Sequence, residues 1–263
     1  MGMEVRAKKA LGQHFLTDAN IARKIASSIG GGTAAEPADV LEVGCGTGML
    51  TQFLLARGDI RTYGAEIDRE SIAYLREHYP EFAAERLWEC DFLTMNLAER
   101  FPGGVKVIGN FPYNISSQIF FKIIENRDLV PECAGMIQRE VAVRIAEKAG
   151  SREYGILSVL LQAWYDIEYL FTVNEGVFNP PPKVKSAVVR LRRNATRHLD
   201  CDERLFVRVV KAAFGQRRKM LRNPLRAAFG QFGGEEHRFF TMRAEQLTVA
   251  DYEELTRWIA EHF

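Results

Sequence analysis

"VLEVGCGTG", Val40 to Gly48, is the stretch whose reading decides the fold. VLEVG is an apolar run of strand length. The glycines at alternate positions, Gly44, Gly46 and Gly48, separate it from a helical pattern running from about Met49 to Arg57. Glycine in such a turn lets a ligand lie against the backbone, while the N–H groups that open the helix face it. The alternation continues downstream. Strand-like runs at 62–67, 87–91, 105–110 and 134–138 are interleaved with helical stretches at about 70–78 and 117–125, and a further helix runs to Lys148. Strand-helix alternation predicts a doubly wound α/β core, a mostly parallel sheet covered on both faces.

Upstream, Asp18 can cap a helix whose apolar residues Ile21, Ile25, Ala26 and Ile29 recur at helical spacing before Gly30-Gly31-Gly32. A basic arm, residues 1–17, precedes it. Downstream, β-rich runs from Ile156 to Val173 and from Ala187 to Leu191 flank the loop VFNPPPKVKS. They predict two more strands, an antiparallel pair closing the sheet. Beyond Asn194 the pattern is helical. The expected organisation is a ligand-binding α/β domain over 1–193 and a small all-helical domain over 194–263.

The formal net charge of +1 conceals unlike segments. Between Lys183 and Arg226 fourteen Lys and Arg stand against Asp200, Asp202 and Glu203, a net +11 that leaves about −10 elsewhere. That stretch is suited to a polyanion. Cys45, Cys90, Cys133 and Cys201 are dispersed without a C-x-x-C pair, so neither a zinc site nor a disulfide framework is expected and a reducing cytosol fits. No apolar run approaches the roughly 18 residues of a membrane span. The arm lacks the apolar segment of a signal peptide, so a cytoplasmic protein without a membrane partner is expected.

The glycine turn fits no diphosphate fingerprint. G-x-G-x-x-G would need glycine where Met49 stands, and a phosphate loop would need G-K-[ST]. Glu66 ends the next strand, where a carboxylate can hold a ribose diol with both oxygens, and Asp91 ends the third, where it could accept from an adenine amine. A ligand with ribose and adenine but no phosphate to grip is met by S-adenosylmethionine.

The fourth strand ends in NFPYNIS, Asn110 to Ser116, on the same rim. An adenine N6 amine is a poor nucleophile because its lone pair is delocalised into the ring. Two acceptors on its protons, the Asn110 side-chain carbonyl and the Phe111 backbone carbonyl, could localise that pair. Pro112 restricts Phe111 to extended geometry, Tyr113 offers a flat face for an unstacked base, and Phe178 could close the other face. Positioning would carry the catalysis, with no metal required.

At these residues the chain resembles the rRNA adenine N6,N6-dimethyltransferases, specifically the small-subunit branch. KKALGQHFL, VLEVGCGTG, AEID, ECDF, NFPYNISSQI, FNPPPKVKSAVVRL and AFGQRRKMLRN all fall in family order. The resemblance implies a Rossmann-like class I methyltransferase domain with a helical C-terminal domain. It also implies dimethylation of two adjacent adenosines in the 3′-terminal hairpin loop of small-subunit (16S) rRNA, late in subunit assembly. It places cofactor contacts on Gln13, His14, Phe15 and Leu16, on Gly44 and Gly46, on Glu66 with Ile67, on Asp91 with Phe92, and on Asn110. His14 stands where the family more often has Asn. Arg217, Arg218, Lys219 and Arg222, on an expected helix, resemble its RNA-facing segment, with Lys183 and Lys185 as further RNA contacts. A monomer acting on a pre-30S particle, not on DNA, is the expected form.

Other readings are weaker. An erythromycin-resistance methyltransferase would share the chemistry on large-subunit rRNA, but FGQRRKMLRN argues against it. A DNA adenine methyltransferase should bring a recognition domain, and an NAD-dependent oxidoreductase needs the glycine missing at position 49. A non-enzymatic assembly factor would have no need of Asn110, Tyr113, Glu66 and Asp91 together.

Overall fold

The computed structural model describes residues 5–232 and 236–262. A short strand β1 (Phe15–Leu16) leads into α1 (Ala19–Ala26), and the Asp18 carboxylate accepts the N–H groups of Asn20 and Ile21. Strands and helices then alternate. β2 (Ala38–Val43) is followed by α2 (Thr51–Leu55), and β3 (Ile60–Glu66) by α3 (Arg69–His78) and α4 (Pro80–Glu85). β4 (Leu87–Glu89) is followed by α5 (Leu97–Arg100), β5 (Lys106–Asn110) by α6 (Ser116–Glu125), and β6 (Glu132–Gln138) by α7 (Arg139–Ala146). Then come α8 (Ile156–Gln162), β7 (Tyr165–Val173), β8 (Phe178–Asn179) and β9 (Ser186–Arg193). The C-terminal helices are α9 (Glu203–Gly215), α10 (Arg222–Phe229) and α11 (Val249–His262).

Among the described residues seven strands form one sheet in the order β4-β3-β2-β5-β6-β9-β7. The pairs β2–β3, β2–β5, β3–β4 and β5–β6 are parallel, and β9 runs antiparallel to β6. This is the mostly parallel α/β sheet that the alternation predicts. Val40 and Leu41, successive in β2 and so on opposite faces, are both fully buried, which is what helices on both sides require. From β2 the chain builds outward to β4 on one side and then crosses to β5 on the other. A crevice opens at such a switch point, beyond the carboxyl ends of the strands. β1 and β8 form a separate antiparallel pair, with Leu16 opposite Phe178.

One sequence expectation is corrected. Ile156–Gln162 reads as strand but is helix α8. Leu157, Ser158, Val159, Leu160 and Leu161 are all buried, so no polar face exists to reveal a 3.6-residue period. Its start is fixed locally, where the Ser158 hydroxyl accepts the Gly155 N–H at 2.9 Å and donates to the Arg144 carbonyl at 2.6 Å.

The chain divides into two compact units, one holding the residues up to Ala142 with Glu168–Arg193, the other Val143–Ile167 with the chain from Asn194 onward. Residues 143–167 fall in the second unit, where α8 packs on α9 and α11. No helix among the described residues is long and apolar enough to cross a membrane.

Candidate active site

A cavity of about 300 Å³ opens in the first unit at the switch point. Gln13, His14 and Phe15 of the arm, Gly44 and Gly46 of the turn, and Glu66 with Ile67 after β3 line it. Asp91 with Phe92, and Asn110, Phe111, Pro112 and Tyr113 after β5, complete the wall. These segments are far apart in sequence, and strand ends bring them to one rim. Leu93 also lines the cavity without a sequence signal, and Cys90 and Asn114, which lie inside ECDF and NFPYNIS, line it too.

Gly44 sits at φ +75°, and a β-carbon built on it would meet nothing within 4 Å. The space above this backbone is a cradle that a side chain would fill, which fits a ligand lying on the turn. Glu66 is only 4% exposed, and its carboxylate is nearly saturated. Oε1 accepts the N–H groups of Ile67 and Asp68, both at 2.8 Å, and Oε2 accepts that of Gly46 at 2.9 Å. Of about four acceptor positions on a carboxylate, one remains, on Oε2, so a ribose would be held chiefly through that oxygen rather than through both. Burial raises the Glu66 carboxyl above its ordinary value, and the three N–H groups offset part of that rise. Asp91 Oδ1 accepts the Leu93 N–H at 2.8 Å, which orients the carboxylate on the rim.

One end of the cavity is built around Phe111. Its ring is fully buried and lies edge-on to Phe120 at 6.1 Å. A β-carbon at Gly135 of β6 would lie 2.2 Å from that ring, so glycine is required there. With the ring pinned inward and its N–H bonded to the Met136 carbonyl at 3.0 Å, the Phe111 carbonyl accepts no protein donor among the described residues. Asn110 donates Nδ2–H to the His14 carbonyl at 2.9 Å. Tyr113 is half-buried, its hydroxyl bonded to that of Ser186, and burial raises its pKa above the ordinary value.

The arm crosses this site and is tied at both ends. At one end Lys8 pairs with Asp68 and with Glu70 (3.1 Å), and Gln13 donates to Asp68 at 3.3 Å. Burial raises the Asp68 carboxyl, but hydrogen bonds from Lys8, Gln13 and Ser71 outweigh it and hold the group below its ordinary value. At the other end His14 Nδ1 meets the Pro180 carbonyl at 2.8 Å, so that nitrogen carries the proton, and the ring lies 5.3 Å from that of Tyr113.

Two expected site residues are elsewhere. Phe178 does not line the cavity. It is 4% exposed and packs into the core with Leu16 and Ile25, because the β1–β8 pairing turns its ring inward. Leu16 lines only an adjoining recess of about 30 Å³, with Glu42, Gly44, Gly46 and Asn110.

Lys183 and Lys185 are exposed on the β8–β9 loop. In the second unit, Arg217, Arg218 and Lys219 occupy the turn between α9 and α10 rather than a helix, because α9 stops at Gly215 and only Arg222 begins α10. Acids remote in sequence reach this segment. Glu245 lies 3.8 Å from Arg217, and Glu236 lies 2.6 Å from Arg222 and 3.2 Å from Arg226, whereas Arg218 and Lys219 stand exposed.

Comparison with known proteins bears on this site. The family model described as ribosomal RNA adenine dimethylase matches residues 4–261. The chain is 54% identical over 261 residues to "Ribosomal RNA small subunit methyltransferase A" of Porphyromonas gingivalis, covering 97% of this chain and 98% of that protein. It is likewise 54% identical over 259 residues to the protein of the same name from Bacteroides thetaiotaomicron, covering 98% and 95%. Among solved structures, a dimethyladenosine transferase from Plasmodium falciparum superposes with a TM-score of 0.75 at 24% identity, covering 95% of this chain and 98% of that one. The 23S rRNA methyltransferase ErmE superposes with a TM-score of 0.69 at 24% identity, covering 94% and 99%, and both likenesses speak to the fold alone. With a family model spanning almost its whole length and curated relatives identical at more than half of their aligned positions, the chain belongs to the ribosomal RNA adenine dimethylases.

Proposed function

We propose that this protein transfers methyl groups from S-adenosyl-L-methionine to the N6 amines of two adjacent adenosines in the 3′-terminal hairpin loop of small-subunit rRNA. It would act as a monomer in the cytoplasm, on a partly assembled small subunit. The observation that carries the reading is the meeting of Asn110, Phe111 and Tyr113 with Gly44, Glu66 and Asp91 in one cavity. The names of the curated relatives point to the small subunit.

The residues present suit the cofactor. Glu66 would hold the ribose through Oε2, Asp91 the adenine amine, and the bare backbone at Gly44 the amino-acid portion. When bound, S-adenosylmethionine supplies a methyl group already activated by the sulfonium. The chain's own work is to hold and aim the acceptor. Tyr113 supports the target base, and the Asn110 side-chain and Phe111 backbone carbonyls accept from the two N6 protons, drawing the nitrogen lone pair out of conjugation. The buried Phe111 ring keeps its carbonyl in place.

The test is transfer of label from adenosylmethionine to unmethylated small subunits, beside large subunits and free DNA, with identification of the product nucleoside. N6,N6-dimethyladenosine in the small subunit alone is expected. Label in large-subunit RNA would move the activity to the resistance-type target. Cofactor binding with no transfer to any of the three would leave an RNA-binding assembly factor.

A further inference from the structure

Glu42 has no part in the chemistry above, yet it sits two residues before Gly44 in β2 and is only 1% exposed. Its Oε2 accepts the Thr51 hydroxyl at 2.7 Å. Among the described residues no Lys, Arg or His pairs with it. The titratable groups that face it are Cys45, whose Sγ lies 3.9 Å from the Glu42 carbonyl, Glu66 on the neighbouring strand, and Tyr79 beyond α3. None of them is a cation. A lone carboxylate buried against another carboxylate is costly, and burial pushes the Glu42 carboxyl up to about 8, with Thr51 offsetting part of the rise and Glu66 adding to it.

The Glu42 carboxyl is held by Thr51, which is itself fully buried. Glu42 borders the recess of about 30 Å³, room for a water or an ammonium group, which shares Phe15, Gly44, Gly46 and Asn110 with the main cavity. The chain therefore supplies a neutral acid, with no internal counter-ion, beside the place where a cationic ligand would lie.

We propose that binding of the cofactor's cationic amino-acid end at this recess expels the proton of Glu42, so that association releases a proton to solvent and favours positively charged ligands. The step balances: the neutral acid becomes a carboxylate paired with the ligand cation, and the buffer takes the proton. This rests on the cofactor reading given above.

Titration calorimetry of the full chain with adenosylmethionine at pH 7, repeated in buffers of different ionisation enthalpy, reads the proton count as the slope of heat against that enthalpy. Release of roughly one proton per site is expected in the wild type, falling to near zero in Glu42→Gln. Binding without proton release, or release that persists unchanged in Glu42→Gln, would overturn the proposal while leaving the cofactor reading intact. Absence of any binding would overturn that reading, and this proposal with it. Infrared difference spectra of the unaltered protein give an independent readout: loss of a protonated-carboxyl band on adding cofactor is required, and an unchanged band would also overturn it.

Discussion

Asn110 is held by His14: its Nδ2 donates to the His14 backbone carbonyl at 2.9 Å, so the arm, not the sheet, sets which way the amide faces. Replacing Asn110 by Ala removes one of the two carbonyls proposed to engage the N6 protons and leaves the glycine turn and Glu66 untouched. The expected loss is on the order of 10²-fold in kcat. Cofactor affinity should change by only a few-fold. Single-turnover methylation and calorimetry separate the two, and near-normal turnover would rule out the amide contact.

Gly135 and Phe111 form a second matched pair. Gly135→Ala places a methyl group 2.2 Å from the Phe111 ring, which must move and carry the loop with it. Overpacking of this kind costs about 1–3 kcal/mol. Chemical denaturation should show that loss together with a collapse of activity. Adding Phe111→Leu should recover part of the stability, since the two sites share one contact.

The raised carboxyl of Glu42 also gives a pH signature. Its folded-state value near 8 lies above the ordinary 4.5, so the folded chain keeps a proton that the unfolded chain has lost. That contribution is fully present below about pH 4.5 and disappears as pH rises toward 8. Glu42→Gln cannot ionise. Its stability relative to wild type should climb by up to a few kcal/mol between pH 5 and pH 8, read by urea denaturation at each pH. A difference independent of pH would contradict the raised value.

Lys8 ties the arm to Asp68 and Glu70 across a partly exposed surface, where ion pairs are weakened by salt. Lys8→Ala should raise the KM for adenosylmethionine several-fold in dilute buffer and less at high ionic strength. A change of kcat alone would place the role of Lys8 elsewhere.

Arg218 and Lys219 stand exposed on the α9–α10 turn. Replacing both with Ala should weaken rRNA binding and lower the slope of log affinity against log salt by about 1–2, one to each lost phosphate contact. An unchanged slope would show that neither side chain meets the backbone.

The sheet could be read from residues because its signals are local: a buried run, a glycine turn and a helix recur within about thirty residues. Glu66, Asp91 and Asn110 line one cavity, since the ends of successive strands share one rim. What stayed hidden depends on pairings between remote segments. The bonds of His14 to Asn110 and Pro180 span 96 and 166 residues, and nothing near position 14 announces either partner. Phe178 offers an aromatic face that could close over a base, and its burial follows only from pairing with β1. Arg217–Lys219 inherited the helical pattern of the residues before Gly215, where α9 stops.

The way the chain enters its second unit twice limits how such proteins can be recombined. A graft made by one splice at Arg193 would transplant α9 to α11 without α8, leaving Leu157, Val159, Leu160 and Leu161 facing helices they had not packed against. A hybrid that keeps a native core must exchange Val143–Ile167 together with the C-terminal segment. Only Val143–Ile167 interrupts the first unit's sequence, so the two units are interleaved rather than strung end to end.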